Sequence, residues 1–366
     1  MAEDLAREVG LLYQDAEGAL LELLAKALEA DIESPRWAEL KLASIGNLRT
    51  AVEAVADALQ QDTDGAVRRA LVTAYNRGRQ AAVAELGALD IGRELAARDT
   101  VPNAPAIDRL AASMAEDTRP LYQRITRAVV DTYRRIIGRA AGTQLLTGMT
   151  RRQASQRALD EFANRGVTGF VDSAGRSWSL PAYAEMAVRS VTARAAIEGH
   201  VDVLAQLGMG LVIVSDAPLE CPLCRPWEGE VLALNGPPGP RTVMERNPAT
   251  GQPVAVHVVG TLLEARAAGL YHPNCRHSLG AYIPGVTTRP PHHATPGTTY
   301  EDTQRQREIE RHIRHWKRRQ AAAMDEQARR RAGTFVRKWQ AEMRAHVAAH
   351  DAMRRKPARE QISSAR

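Results

Sequence analysis

The chain has 366 residues, 49 Lys/Arg against 43 Asp/Glu for a net charge of +6, 44% hydrophobic residues and only 4% aromatics. That length allows two or three domains, and an Ala- and Leu-rich, aromatic-poor composition favours packed helices over a β-sandwich. The acidic opening Met1-Ala2-Glu3-Asp4 has no apolar core of a signal peptide, and no apolar run reaches the roughly 18 residues that span a bilayer. The expectation is a soluble protein made in a reducing cytoplasm, with no membrane partner.

Residues 1–165 predict a helical N-terminal domain. Leu5, Val9, Leu12, Ala16, Leu20, Leu23 and Ala27 make one stripe at helical spacing. Pro35 breaks the chain, and Trp37, Leu40, Ser44, Leu48, Val52, Val55 and Leu59 make a second stripe over about 36–61. A third helix is expected over about 65–87, stopping near Gly87. Residues 99–107, with two prolines, read as a connection. A long helix over about 107–147 follows, with Leu121, Ile125, Val129, Tyr133, Ile136 and Ile137 on its apolar side. Such stripes are packing seams, so they carry no chemistry. Thr150-Arg151-Arg152-Gln153 is a capping box that opens a short helix ending near Phe162.

Residues 166–285 predict a smaller α+β module. A hairpin is expected over 169–180, turning at Ser173–Gly175, and Pro181 opens a helix to about Leu207. An apolar strand, 211–214, follows Gly208 and Gly210. The Gly-, Pro- and Asn-rich stretch 235–253 reads as loop. A short helix, 262–269, and a strand, 278–283, close the module. Residues 286–299 are a Pro/Thr-rich linker in which His292 and His293 are expected to be solvated. Residues 300–350 predict a basic helical arm, interrupted at Gly333, and 351–366 a disordered tail.

The three cysteines lie in Cys221-Pro-Leu-Cys224 and in His272-Pro-Asn-Cys275-Arg-His277. A C-x-x-C followed some fifty residues later by H-x-x-C-x-H is metal-ligand spacing, since two turns can close around one ion. Zinc suits this set because it takes Cys and His tetrahedrally. An odd cysteine count argues against a disulfide framework. A thioredoxin-type redox site fits poorly, because Pro226 and Gly229 interrupt the helix that should follow Cys224. Tight turns packed without metal are the plainer alternative, since Pro222, Pro273 and Asn274 favour turns. Five donors compete for four positions. Cys221, Cys224, His272 and Cys275 form the preferred set, with His277 in place of His272 as the second choice. His257 reads as a surface residue.

Charge is uneven: residues 301–366 hold 18 Lys/Arg against 9 Asp/Glu, a surplus of 9. Arg311, Arg314, Lys317, Arg318 and Arg319 are therefore candidate contacts to nucleic acid or an acidic protein surface. A solvated face laced with ion pairs is the plainer reading. Trp316 and Trp339 are candidate interface anchors.

Tyr183-Ala-Glu-Met-Ala-Val-Arg-Ser190, the strand ending Val214-Ser215-Asp216, Cys221-Pro-Leu-Cys224 with Trp227 and Gly229, Tyr271-His-Pro-Asn-Cys-Arg-His277 and Gln306–Arg314 occur in that order. This arrangement resembles the phage minor capsid proteins of the second type, which are distantly similar to the Mu F-type head-morphogenesis proteins. The resemblance spans roughly 1–320 and is sharpest in 166–285. It implies a phage or prophage virion protein encoded beside the portal, acting in head assembly with portal and capsid proteins, and without catalytic residues or a small-molecule substrate. Combined with the residues, it gives a mainly α chain with a structural zinc in its α+β module. A zinc-containing nucleic-acid-binding protein or His-Asn-His-type nuclease, using His277 and Asn274, is the alternative. A zinc deaminase fits worse, because Glu220 precedes Cys221 and His200-Val-Asp202 is not H-x-E.

Overall fold

The computed structural model describes residues 2–87, 104–147, 149–165, 170–171, 177–178, 180–272, 275–289 and 297–362. Its helices are α1 (Ala2–Glu29), α2 (Trp37–Ala43), α3 (Ile45–Leu86), α4 (Ala104–Thr147), α5 (Arg151–Arg165), α6 (Leu180–Gln206), α7 (Leu262–Ala267), α8 (Tyr300–Ala321) and α9 (Glu326–Ala348). The strands are β1 (Phe170–Val171), β2 (Ser177–Trp178), β3 (Leu211–Val214), β4 (Val231–Ala233), β5 (Arg241–Arg246), β6 (Pro253–Val258), β7 (Gly260–Thr261) and β8 (Leu279–Ala281). The chain is mainly helical with a small sheet module, as expected. The expected 99–107 connection, the turn at Ser173–Gly175, and His292 and His293 lie wholly or mostly outside the described residues.

The described residues form two compact units. One holds residues 1–6, 67–114 and 186–300, and the other 7–66, 115–185 and 301–366.

In the first unit a four-stranded sheet has the order β7-β4-β3-β8, with β3 antiparallel to both β4 and β8 and β4 parallel to β7. Successive side chains of a strand point to opposite faces. Val212, Val214, Leu232, Leu279 and Ala281 accordingly pack with Ala82 and Leu86 of α3, Ile197, Val203 and Leu204 of α6, and Leu262 and Ala265 of α7. Leu211, Val231 and Ala233 on the other face pack with Val256 and Val258 of β6. The backbones of α3 and α6 touch: a Cβ on Gly78 would lie 1.8 Å from the Ala196 carbonyl oxygen, and one on Gly199 would lie 2.2 Å from that of Tyr75.

The hairpin β5–β6 replaces part of the loop expected over 235–253; its register pairs Arg241 with Val258 and Arg246 with Pro253. Its signal is weak because β5 is mostly exposed and only Val243 turns to the core. Asn247 closes the connection as an Asx turn, its Oδ1 accepting the amides of Ala249 (2.9 Å) and Thr250 (3.2 Å).

In the second unit the Thr150–Gln153 capping box forms as read: Thr150 N–H donates to Gln153 Oε1 (2.9 Å), and Gln153 N–H to Thr150 Oγ1 (3.2 Å). Tyr13 and Tyr122 share a buried 2.6 Å hydrogen bond. Helices α8 and α9 pair antiparallel. Ile309, Ile313 and Met343 are fully buried between them, with Trp339 and Val347 against that cluster.

Two expected breaks are absent. Helix α3 runs through Asp62-Thr63-Asp64-Gly65 because the buried positions Val52, Ala56, Leu59, Thr63, Val67 and Ala70 hold their helical spacing across it. The helix penalty of Gly65, about 1 kcal/mol, is smaller than that burial. Helix α9 runs through Gly333, which is buried with a would-be Cβ 3.3 Å from Gln320. The expected tail also differs. A 3-10 turn at Pro357–Glu360 is held by the Arg355–Glu360 pair (2.5 Å), with Glu360 only 1% exposed.

Candidate metal centre

Strand β3 delivers the chain to the first pair of cysteines. After Val214 the backbone turns sharply; Leu219 has φ 60. The amides of Cys224 and Arg225 both donate to the Cys221 carbonyl (3.1 Å each), which folds Cys221–Cys224 into one tight turn. The 3-10 turn Arg225–Trp227 follows, and the Gly229 amide returns to the Val214 carbonyl (3.0 Å). Gly229 has φ 68, a conformation that favours glycine.

Helix α7 delivers the second set. Its N-terminus has a complete capping box, Thr261 with Glu264. Gly269 (φ 109) and Tyr271 (φ 63) end it, and the Cys275 amide donates to the His272 carbonyl (2.9 Å). Ser215 and Ser278 then clip the two segments together, through Ser215 N–H to the Ser278 carbonyl (3.0 Å) and Ser278 N–H to Ser215 Oγ (2.9 Å).

All five predicted donors converge. Cys221, Cys224 and His272 have ligand atoms within 4.8 Å of one another, as do Cys224, Cys275 and His277. Cys221 Sγ lies 2.9 Å from His272 Nε2, Cys224 Sγ 3.5 Å from Cys275 Sγ, and Cys275 Sγ 3.2 Å from His277 Nδ1. All three cysteines are free, and Cys224 is fully buried. Pro273 and Asn274 lie outside the described residues.

The electrostatics suit a cation. The hydrogen bond from Cys224, with His277 beside it, brings the Cys275 thiol down to about 4. The same contact with Cys275, together with burial, pushes the Cys224 thiol up. Crowded sulfurs repel a second negative charge unless a cation is shared between them. Burial disfavours the His277 imidazolium, but its hydrogen bonds to Cys275 and Glu228 outweigh this and hold its pKa above the ordinary value.

Glu228 is the residue that the sequence reading missed. Its Oε1 lies 2.5 Å from His277 Nε2, with the two side chains 6% and 2% exposed, and it also accepts the Ala217 amide (3.3 Å). A metal-ligating histidine commonly gives its other ring N–H to a carboxylate, which fixes its orientation. His277 is held in that way, with Nδ1 turned to the cysteines. An acidic residue in the turn after C-x-x-C was the available signal, but nothing in the spacing linked it to His277.

The basic arm is arranged differently from the expectation. Of its named cations only Arg311 is exposed. Arg314 donates to the Arg359 carbonyl, and Lys317 to Gln361 Oε1 (2.6 Å). Arg318 is 8% exposed, donates to the Ala163 carbonyl (3.2 Å) and lies 3.6 Å from Glu17. Arg319 pairs with Asp160 and lies over the Trp316 ring, 4.6 Å from its centroid. These four are internal contacts, because α8 turns them towards α1, α5 and the C-terminal turn, where partners for them lie. The tryptophans are spent inside the α8–α9 pair as well. Trp316 stacks on Phe335 at 4.0 Å and Trp339 on His312 at 3.9 Å.

Fold and site together define a mainly helical chain carrying a small sheet module, in which a Cys/His cluster could hold a metal ion. The family model described as Phage minor capsid protein 2 matches residues 2–348, nearly the whole length, and the chain belongs to that family. This bears out the resemblance seen in the sequence. It makes the chain a phage structural protein associated with the virion. Neither a curated protein nor a solved structure matches it. Among the described residues, no helix is long and apolar enough to cross a membrane.

Proposed function

We propose that this protein is a head protein of a phage or prophage, assembled beside the portal from the host cytoplasm, and that a structural zinc locks its sheet module. The family match carries the first part, and the convergence of three thiols and two imidazoles carries the second. Cys221, Cys224, Cys275 and His277 would hold the ion, with Glu228 orienting His277 and His272 as the competing fourth ligand. When bound, the ion neutralises crowded thiolates and joins the turn after β3 to the segment before β8. Among the described residues no disulfide joins those two segments. Apparent zinc affinity of ~10–16 kcal/mol becomes folding free energy in such a module.

A four-ligand site has no open position for water, so the reading includes no catalysis. The family does not favour the nuclease alternative. His277, the base which that alternative needs, has both ring nitrogens engaged. Pull-down from induced lysogens should recover portal or major capsid protein, and mass spectrometry should find the chain in purified heads. Its absence from heads that package DNA normally would refute the assignment.

A further inference from the structure

The outer face of α9 was not singled out by the sequence reading. Arg329, Arg330, Arg331, Arg337, Lys338 and Arg344 are all exposed there. Arg330, Arg337 and Arg344 recur every seven residues, and Arg331 and Lys338 repeat that spacing beside them. Seven residues of helix rise about 10.5 Å and return to nearly the same face. Two adjacent rows of cations therefore run along one side of the helix. The acidic residues of α9 leave these rows nearly intact. Glu326 is paired with Arg330 (2.9 Å), and Glu342 is taken by Arg305 of α8 (3.2 Å). Among the described residues no carboxylate pairs with Arg331, Arg337, Lys338 or Arg344.

We infer that this face binds the phosphate backbone of double-stranded DNA, and that Arg330, Arg331, Arg337, Lys338 and Arg344 make the contacts. A protein partner is the other reading of a charged helix, and the surface chemistry disfavours it. Protein interfaces have an apolar or aromatic centre depleted of charge. The large apolar residues of α9 (Phe335, Val336, Trp339, Met343) are all buried or half-buried, and its exposed positions between the cations are Thr334, Ala341 and Glu342, the last of these paired with Arg305. Arginine dominates the rows, and its planar fork suits phosphate oxygens. The helix is also held rigid from behind by the two aromatic stacks with α8. The charge surplus of the C-terminal arm thus points to DNA through α9 rather than through the α8 cations that the sequence singled out within it.

The test uses the full-length protein and a labelled duplex of random sequence, with affinity measured by anisotropy at several salt concentrations. Each phosphate contact contributes about 0.9 to the slope of log K against log salt. The slope should be about −3.6 to −4.5, for four or five contacts within reach of one duplex. R337Q/K338Q should lower its magnitude by about 1.8 and weaken binding about 60-fold at 0.1 M salt. The variant R36Q/R49Q removes equal charge from exposed sites elsewhere (side chains 76% and 66% exposed) and should shift binding less than about threefold. Equal losses in both variants would reduce the effect to net charge and overturn the proposal. So would wild-type protein that does not bind DNA at low salt. If R337Q/K338Q instead loses capture of a purified head protein while DNA binding is unchanged, the face belongs to a protein. Incorporation into heads is a separate measurement, so the virion reading survives or fails independently.

Discussion

Gly78→Ala and Gly199→Ala should destabilise the protein, although each replaces a helical glycine with the best helix former. In an exposed helix interior that exchange stabilises by about 1 kcal/mol. Here the added methyl meets backbone. At Gly78 it would lie 1.8 Å from the Ala196 carbonyl oxygen and 2.7 Å from its carbon; at Gly199 it would lie 2.2 Å from the Tyr75 oxygen. Real Cβ contacts sit beyond about 3.4 Å, so α3 and α6 would have to separate by more than 1 Å. Close-packed interiors resist such a shift, and overpacking costs about 1–3 kcal/mol or more. The net change should be a loss of about 1–2 kcal/mol for Gly199→Ala and more for Gly78→Ala, where the overlap is deeper. Gly138→Ala supplies the opposite sign. Nothing lies within 4 Å of its would-be Cβ, and it sits inside α4, so it should stabilise by about 0.5–1 kcal/mol. Urea unfolding of the three variants, followed by circular dichroism, measures all of this. Stabilisation by Gly78→Ala comparable with that of Gly138→Ala would refute the crossing as described.

Three further outcomes are expected. Glu228→Gln should weaken metal affinity about 10–100-fold in a competition assay with a chromophoric chelator, while a saturated sample keeps its stoichiometry; unchanged affinity would show that the carboxylate does not orient a ligand. His315 is held down to about 4 by burial and by Arg318 and Arg319, with His312 adding to this and Asp160 opposing it. Its unfolded form binds a proton near 6.5 and its folded form does not, so its contribution to stability is present above that pH and is lost as pH falls towards 4. The slope is at most about 1.4 kcal/mol per pH unit, and His315→Gln should flatten this window in acid titrations followed by thermal melting. Thr261→Ala removes the side-chain half of the α7 capping box and should cost about 1 kcal/mol in the same melts.

Much of this fold was legible in local pattern. The strand at 211–214 and the helix opened by Pro181 followed from apolar runs bounded by glycine and proline, and they stand within a residue or so of their expected bounds. The Thr150–Gln153 capping box and the convergence of Cys221, Cys224, His272, Cys275 and His277 followed from spacing alone. What stayed hidden depended on contacts distant in sequence. The gap expected between 61 and 65 and the interruption expected at Gly333 rest on local propensity, whereas the burial that overrides it comes from other elements. Glu228 could be tied to His277 only by the fold, which brings residues 49 positions apart to 2.5 Å. The charge of α8 gave no sign of being internal. Arg318 and Arg319 differ from exposed arginines only in having Glu17 and Asp160 beside them.

Whether a structural zinc holds the sheet module is decided by elemental analysis of the full chain, purified without chelators and quantified against protein. About one zinc per chain is expected, reduced well below one in Cys221→Ser. Chelation should lower the melting temperature of the wild type. A folded wild-type protein that contains no metal, and whose melting curve is indifferent to chelator, would contradict a structural zinc.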